Sequence, residues 1–190
     1  MKRMMIAFLL LPLACRAATT TRLTIPAGPS TLAPATTIRL TDGAAAQVQV
    51  AGLALAVDPA DGAAADLILR TAPPAWGTRV DATRPLRLWD TVAVRKGGAR
   101  LRITALPDLN GRQAALMLDF GPSCRILVHG GALGMAAIEE IPRRYPGARL
   151  ALLRDADGPL LLTIAPDGTA ATLQHDPPAD GRPACAAEAR

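Results

Sequence analysis

The chain is poor in the side chains that most often carry out chemistry or read nucleic acid. Among 190 residues there are two histidines, two tryptophans, one tyrosine, two phenylalanines and three cysteines. Aromatics at 3% supply no repeated platforms on which bases could stack, so nucleic acid is excluded as an expected partner. His129 and His175 alone cannot furnish a multi-histidine metal site. Serine occurs only at positions 30 and 123, in a leader and in a turn, and no G-x-S-x-G nucleophile elbow is present. Lysine occurs only at positions 2 and 96, so nearly every cation is an arginine. The apolar run Met4 to Ala14 is shorter than the about 20 residues that span a bilayer, and no transmembrane helix is expected in the mature chain.

That run has a different meaning. Lys2 and Arg3 precede it and the small residues Ala17 and Ala18 come after it, the layout of a secretory signal peptide over residues 1–17. The expected location is therefore outside the cytoplasm, in the periplasm; Cys15 after "LPLA", as the acylated residue of a lipoprotein, is the alternative. Removing residues 1–17 takes away Lys2, Arg3 and Arg16 and no acids, so the formal charge falls from +5 to +2 and most of the basicity belongs to the export signal. In an oxidising compartment Cys124 and Cys185 could pair. Equally, Cys124 could be a small core residue and Cys185 a free thiol in a tail.

Half of the chain is hydrophobic, enough for a real core at this length. Residues 18–35 read as a leader, 36–175 as one domain, and 176–190, rich in Pro, Ala, Asp, Gly and Arg, as a disordered tail. From Thr36 to Pro59 three strand-like pieces are separated by Asp42-Gly43 and Gly52, and Val48 and Val50 alternate with Gln47 and Gln49. "LWDTVAVRKGGARLRITALP", Leu88 to Pro107, reads as a hairpin turning at Gly97-Gly98, with Arg95, Lys96, Arg100 and Arg102 on a solvated face. A second hairpin joins Ala114–Phe120 to Cys124–Val128. Leu133 to Ile141 reads as a helix closed by Pro142 and Pro146. Leu150–Leu153 and Pro159–Ile164 complete a β-rich α+β pattern.

The order of these pieces resembles the metallo-β-lactamase superfamily, in particular its branch of ascorbate-6-phosphate-lactonase-like and N-acyl-phosphatidylethanolamine-phospholipase-D-like hydrolases. The segment "RILVHGGALGMAAIEEIPRRYPGARLALL", Arg125 to Leu153, is similar to the family's strand, S-G-D-T and helix ending in E-I-P-R-R-Y-P. "LLLTIAPDG" and "AGLALAVDP" resemble neighbouring family segments, and the match runs in order over about residues 36–168. The resemblance implies an αββα sandwich holding one or two zinc ions, which lower the pKa of bound water from about 15.7 to about 7.

Carried over position by position, the resemblance also implies that the ligands are gone. The T-H-x-H-x-D-H motif begins at Thr71 and finds Ala72, Pro74, Trp76 and Gly77 at its ligand positions; Asn110 stands for a later histidine, Gly131 for the bridging aspartate, and Ala44 for the early G-H-A-T histidine. No zinc or other cofactor is then expected. The expected function is that of an exported pseudo-hydrolase, a non-catalytic binding or structural module whose partner the sequence does not name. The alternative is a metal-independent or single-metal hydrolase rebuilt around His129 with Asp58 or Asp108. Asp58 has a structural alternative, shaping the turn at Asp58-Pro59. Cys124 and His129 as nucleophile and base stand five residues apart on one strand, roughly 16 Å, too far to act together.

Overall fold

Alternating apolar and polar side chains, interrupted by turns, divide the described residues into thirteen strands and one helix. The computed structural model describes residues 18–27, 37–41, 45–50, 52–59, 64–71, 76–78, 86–109 and 114–174. In chain order the strands are β1 (Thr20–Ile25), β2 (Thr37–Thr41), β3 (Ala45–Val50), β4 (Leu53–Val57), β5 (Leu67–Leu69), β6 (Trp76–Thr78), β7 (Thr91–Lys96), β8 (Ala99–Pro107), β9 (Ala114–Asp119) and β10 (Arg125–Ala132). The helix α1 (Met135–Arg144) comes next, and then β11 (Leu150–Arg154), β12 (Pro159–Ile164) and β13 (Ala170–Gln174).

The strands form two sheets, one of five in the order β2-β3-β4-β5-β6 and one of eight in the order β1-β7-β8-β9-β10-β11-β12-β13. Most neighbours are antiparallel; β1 with β7, β4 with β5 and β10 with β11 are parallel. The two sheets face each other across one core. Val48, Leu53, Leu55, Leu67 and Leu69 of the smaller sheet and Val92, Leu101, Ile103, Leu118 and Ile126 of the larger one belong to it, all essentially inaccessible. Each such side chain contributes about 1.5–3 kcal/mol by leaving water. The strand period sends the intervening residues of the larger sheet outward. Ala115, Leu127, Ala151, Leu153, Leu160 and Leu162 there meet Ile138, Ile141 and Tyr145 of the α1 region in a second core. These three residues recur at i, i+3 and i+7, one face of a helix.

This architecture corrects the expected α+β, αββα sandwich: the described residues are mostly β, two sheets with a single short helix. A helix layer outside the smaller sheet would need an apolar outer face on which to pack. Arg39 and Gln47 stand on that face and are exposed, and a sheet with such a polar face can meet water directly.

Smaller differences have local causes. Residues 20–25, read as leader, form the edge strand β1, tied down where Thr19 donates from its backbone N–H and its hydroxyl to Asp90 Oδ1 at 3.1 and 2.7 Å. Pro142 lies inside α1 instead of ending it. In the last turn a proline forfeits a single backbone bond, and its ring is buried there together with Ile141. Lys96 is no solvated hairpin cation. Its Nζ donates to Asp66 Oδ2 at 2.6 Å, linking the two sheets, and the same carboxylate oxygen accepts the Ala54 N–H at 2.8 Å. Both expected hairpins form, β7 with β8 and β9 with β10.

Cys124 is fully buried and engaged in a disulfide whose partner lies outside the described residues. Also outside them are the expected signal peptide with Cys15, Ala44, Ala72, Pro74, Asn110, His175, Cys185 and the tail from residue 176. Among the described residues no helix is long and apolar enough to cross a membrane.

Candidate functional site

The parallel strands β4 and β5 end side by side, and the backbone beyond one is tied to the backbone beyond the other. After Val57 the chain turns at Asp58, which takes a positive φ of 45°, a conformation that aspartate tolerates better than most residues. Its N–H bonds to the Leu69 carbonyl at 2.8 Å. Its carboxylate takes both donors of Thr71: the backbone N–H gives to Oδ1 at 2.8 Å and the hydroxyl to Oδ2 at 2.7 Å. Arg70 donates to the Pro59 carbonyl at 2.9 Å. Asp58 thus performs the expected turn-shaping role, as the clasp between two strand ends. Asp58→Asn keeps the turn-tolerant backbone but replaces a charged double acceptor with a neutral group. It is expected to cost about 1 kcal/mol of stability, read by urea denaturation.

Thr71 continues the inward alternation of Leu67 and Leu69 and so points toward the larger sheet. There it lies directly on Gly130. A Cβ at that glycine would overlap both Cβ and Oγ1 of Thr71, so the absence of a side chain is what lets the two sheets approach. The next residue, Gly131, has a φ of +79°, available without strain only to glycine. Here β10 leaves its neighbours: the register with β9 ends at Val128 and that with β11 resumes only at Ala132 opposite Arg154. His129, Gly130 and Gly131 form the intervening bulge, a device that re-aims a strand end.

Between these strand ends lies a cleft of about 410 Å³, within the size range of small-ligand sites. Asp58, Thr71, Gly131 and Arg154 supply its polar lining; Leu40, Val57, Val128 and Leu152 supply apolar walls. Arg154 extends the inward side of β11 beyond Leu150 and Leu152. It therefore presents a cation at the mouth of the cleft, with no ion pair among the described residues.

His129 reaches this cleft only at the level of the strand. Because Val128 faces the smaller sheet and Leu127 faces α1, alternation directs the imidazole of His129 to the helix side. The ring is buried, and neither of its nitrogens makes a well-aligned hydrogen bond among the described residues. Burial pushes its pKa below the ordinary 6.5, while the nearby Asp108 carboxylate and the Gly130 backbone act in the opposite direction. Tyr145 completes this buried polar group. Its hydroxyl donates to the Pro107 carbonyl at 2.8 Å, and burial, with Asp108 adding to it, raises its pKa to about 12.

The expected candidates are thus only partly brought together. Asp58 and Gly131 share the cleft, whereas the His129 ring and Asp108 sit on the opposite face of the larger sheet. Trp76 and Gly77 lie on β6, paired with Leu69 and Ile68. The residues at the cleft do not suit zinc. The described lining offers one carboxylate and one histidine, whose ring turns to the helix side, short of the three or four ligands that zinc takes, and the Arg154 cation faces in. Among the described residues no three or more His, Cys, Asp or Glu side chains stand close enough to hold a metal.

Sequence reasoning passed over Arg154, Gly130 and Tyr145. For Arg154 a signal existed: a charge two residues beyond Leu152, on the buried side of an otherwise apolar strand. Comparison with known proteins finds no matching family model, no matching curated protein and no matching solved structure.

Proposed function

We propose that the chain is an exported, non-catalytic binding module whose ligand site is the cleft between the ends of β4, β5, β10 and β11. The observation that carries the reading is the cleft itself. It is mixed in polarity and lies beside a backbone bulge, and the one carboxylate among its described lining residues, Asp58, is hydrogen-bonded to Thr71. A general base or metal ligand needs an available lone pair aimed at the substrate. At Asp58 each oxygen accepts one hydrogen bond from Thr71, which fixes the carboxylate to the turn, and among the described residues no group of three or more His, Cys, Asp or Glu stands around it to hold a metal.

Export is supported by the signal-like residues 1–17 and by the engaged Cys124, since disulfides persist in oxidising compartments. The likeness of Arg125–Leu153 to segments of metallo-β-lactamase-superfamily hydrolases supports descent from a zinc hydrolase whose ligand residues are replaced here.

The test is direct. Mature protein is incubated with excess zinc, desalted, and analysed for bound metal and for hydrolysis of a lactone and of a phosphodiester. Less than about 0.1 zinc per chain and no turnover above buffer are expected, because a structural or catalytic zinc site requires three or four protein ligands. Stoichiometric zinc with zinc-dependent hydrolysis would overturn the reading.

A further inference from the structure

The charge at the cleft mouth narrows the ligand. Arg154 is the exposed last residue of β11, on the inward side of that strand, and bears no ion pair among the described residues. A guanidinium recognises planar oxyanions through two parallel N–H donors. Behind it the walls turn apolar at Leu40, Val57, Val128 and Leu152. Asp58 faces the same space, and its negative charge opposes a second charge on any bound anion.

Resting on the cleft as the binding site, we propose that it takes a small amphiphilic monocarboxylate, with the carboxylate on Arg154 and a short aliphatic body between the two sheets. A neutral alcohol of the same length fills the walls and leaves the guanidinium without its partner. An alkylammonium brings a cation against a cation. A phosphomonoester brings nearly two negative charges toward Asp58. The monocarboxylate alone answers all three features of the lining.

Octanoate, 1-octanol and octylammonium serve as probes of one body with three heads, titrated calorimetrically into the mature, oxidised chain. Saturable one-to-one binding of octanoate is expected, with 1-octanol at least about tenfold weaker and octylammonium weaker again. Arg154→Gln should weaken octanoate about tenfold and leave 1-octanol unchanged, and Arg154→Lys should fall between, since a lysine keeps the charge and loses the fork. Ala132→Trp, placing a bulky ring at an exposed lining position, should abolish both. Octanoate binding that is equal in wild type and Arg154→Gln overturns the carboxylate assignment. If 1-octanol then still binds in an Ala132-sensitive way, the cleft stands as a site without this head-group preference. If no probe binds wild type saturably, the carboxylate assignment and the cleft as a binding site both fall, a result separable from the zinc and hydrolysis measurements above.

Discussion

Gly130→Ala is expected to destabilise the protein by about 3 kcal/mol, more than any surface change of equal size. The new methyl group would occupy the space of Thr71 Cβ and Oγ1. Overpacking alone costs about 1–3 kcal/mol. Thr71 cannot move aside freely, because its backbone N–H and hydroxyl are both held by Asp58. Any shift large enough to relieve the overlap weakens hydrogen bonds to a charged acceptor, worth about 1.5–3 kcal/mol. For a chain of this length the loss should appear as a fall in Tm of roughly 6–12 °C. A double-mutant cycle identifies the cause: Thr71→Gly alone costs the clasp, but in the Thr71→Gly background Gly130→Ala should become nearly neutral. An unchanged penalty in that background would place the cost elsewhere, for example in the backbone of the bulge. Calorimetry on the four proteins provides all the quantities needed.

The same contact shows what was legible in the sequence. Strands and hairpins were readable because their signal is local: Gln47 and Gln49 alternating with Val48 and Val50, or Gly97-Gly98 between two apolar runs. The layer arrangement was not local. Whether a second helix layer covers the smaller sheet depends on the outer faces of β2 and β3, where Arg39 and Gln47 already weigh against one; the resemblance of Arg125–Leu153 to helix-bearing hydrolases pointed the other way. β1 was missed because "TTRLTI" alternates only weakly and stands in a threonine- and proline-rich region. Its place is set by a partner 71 residues away, through Thr19 and Asp90. At the cleft, Asp58 and Thr71 were recognisable as an Asp-Pro turn and the start of a loop. Their mutual bonding and the approach of Gly130 join segments 13 and 59 residues apart from Thr71, and no periodicity reports such contacts.

His129→Leu is expected to raise stability at pH 7.5 by about 1–2 kcal/mol and to flatten its dependence on mild acid. Neither buried ring nitrogen makes a well-aligned hydrogen bond among the described residues, although the Gly130 backbone lies close enough to act on the ring, so part of the desolvation cost is not returned. Leu127, two residues back on the same strand face, belongs to the apolar core under α1, and an aliphatic side chain of similar bulk extends that core. The pH effect has a definite sign. Burial holds the folded-state pKa of His129 below the unfolded value of 6.5. Between those two values the unfolded chain takes up a proton that the folded chain refuses. Stability is therefore complete above about pH 6.5 and falls as the pH drops toward the folded-state pKa, with a slope of at most about 1.4 kcal/mol per pH unit. Asp108, on the same side, shortens this window by favouring the imidazolium, but burial is the larger influence. Urea denaturation of wild type at pH 7.5, 6.5, 5.75 and 5.0 should show a decline of up to about 2 kcal/mol that is confined to the lower three points. In His129→Leu the decline should be mostly absent, because the ring that takes up the proton on unfolding is gone. A wild-type curve flat from 7.5 to 5.0, or an equal slope in the variant, would show that the His129 ring is not the group that senses acid. A steeper loss in the variant would instead mean that His129 supports Asp108 and Tyr145 as a positive charge, the reverse of what its burial under α1 dictates.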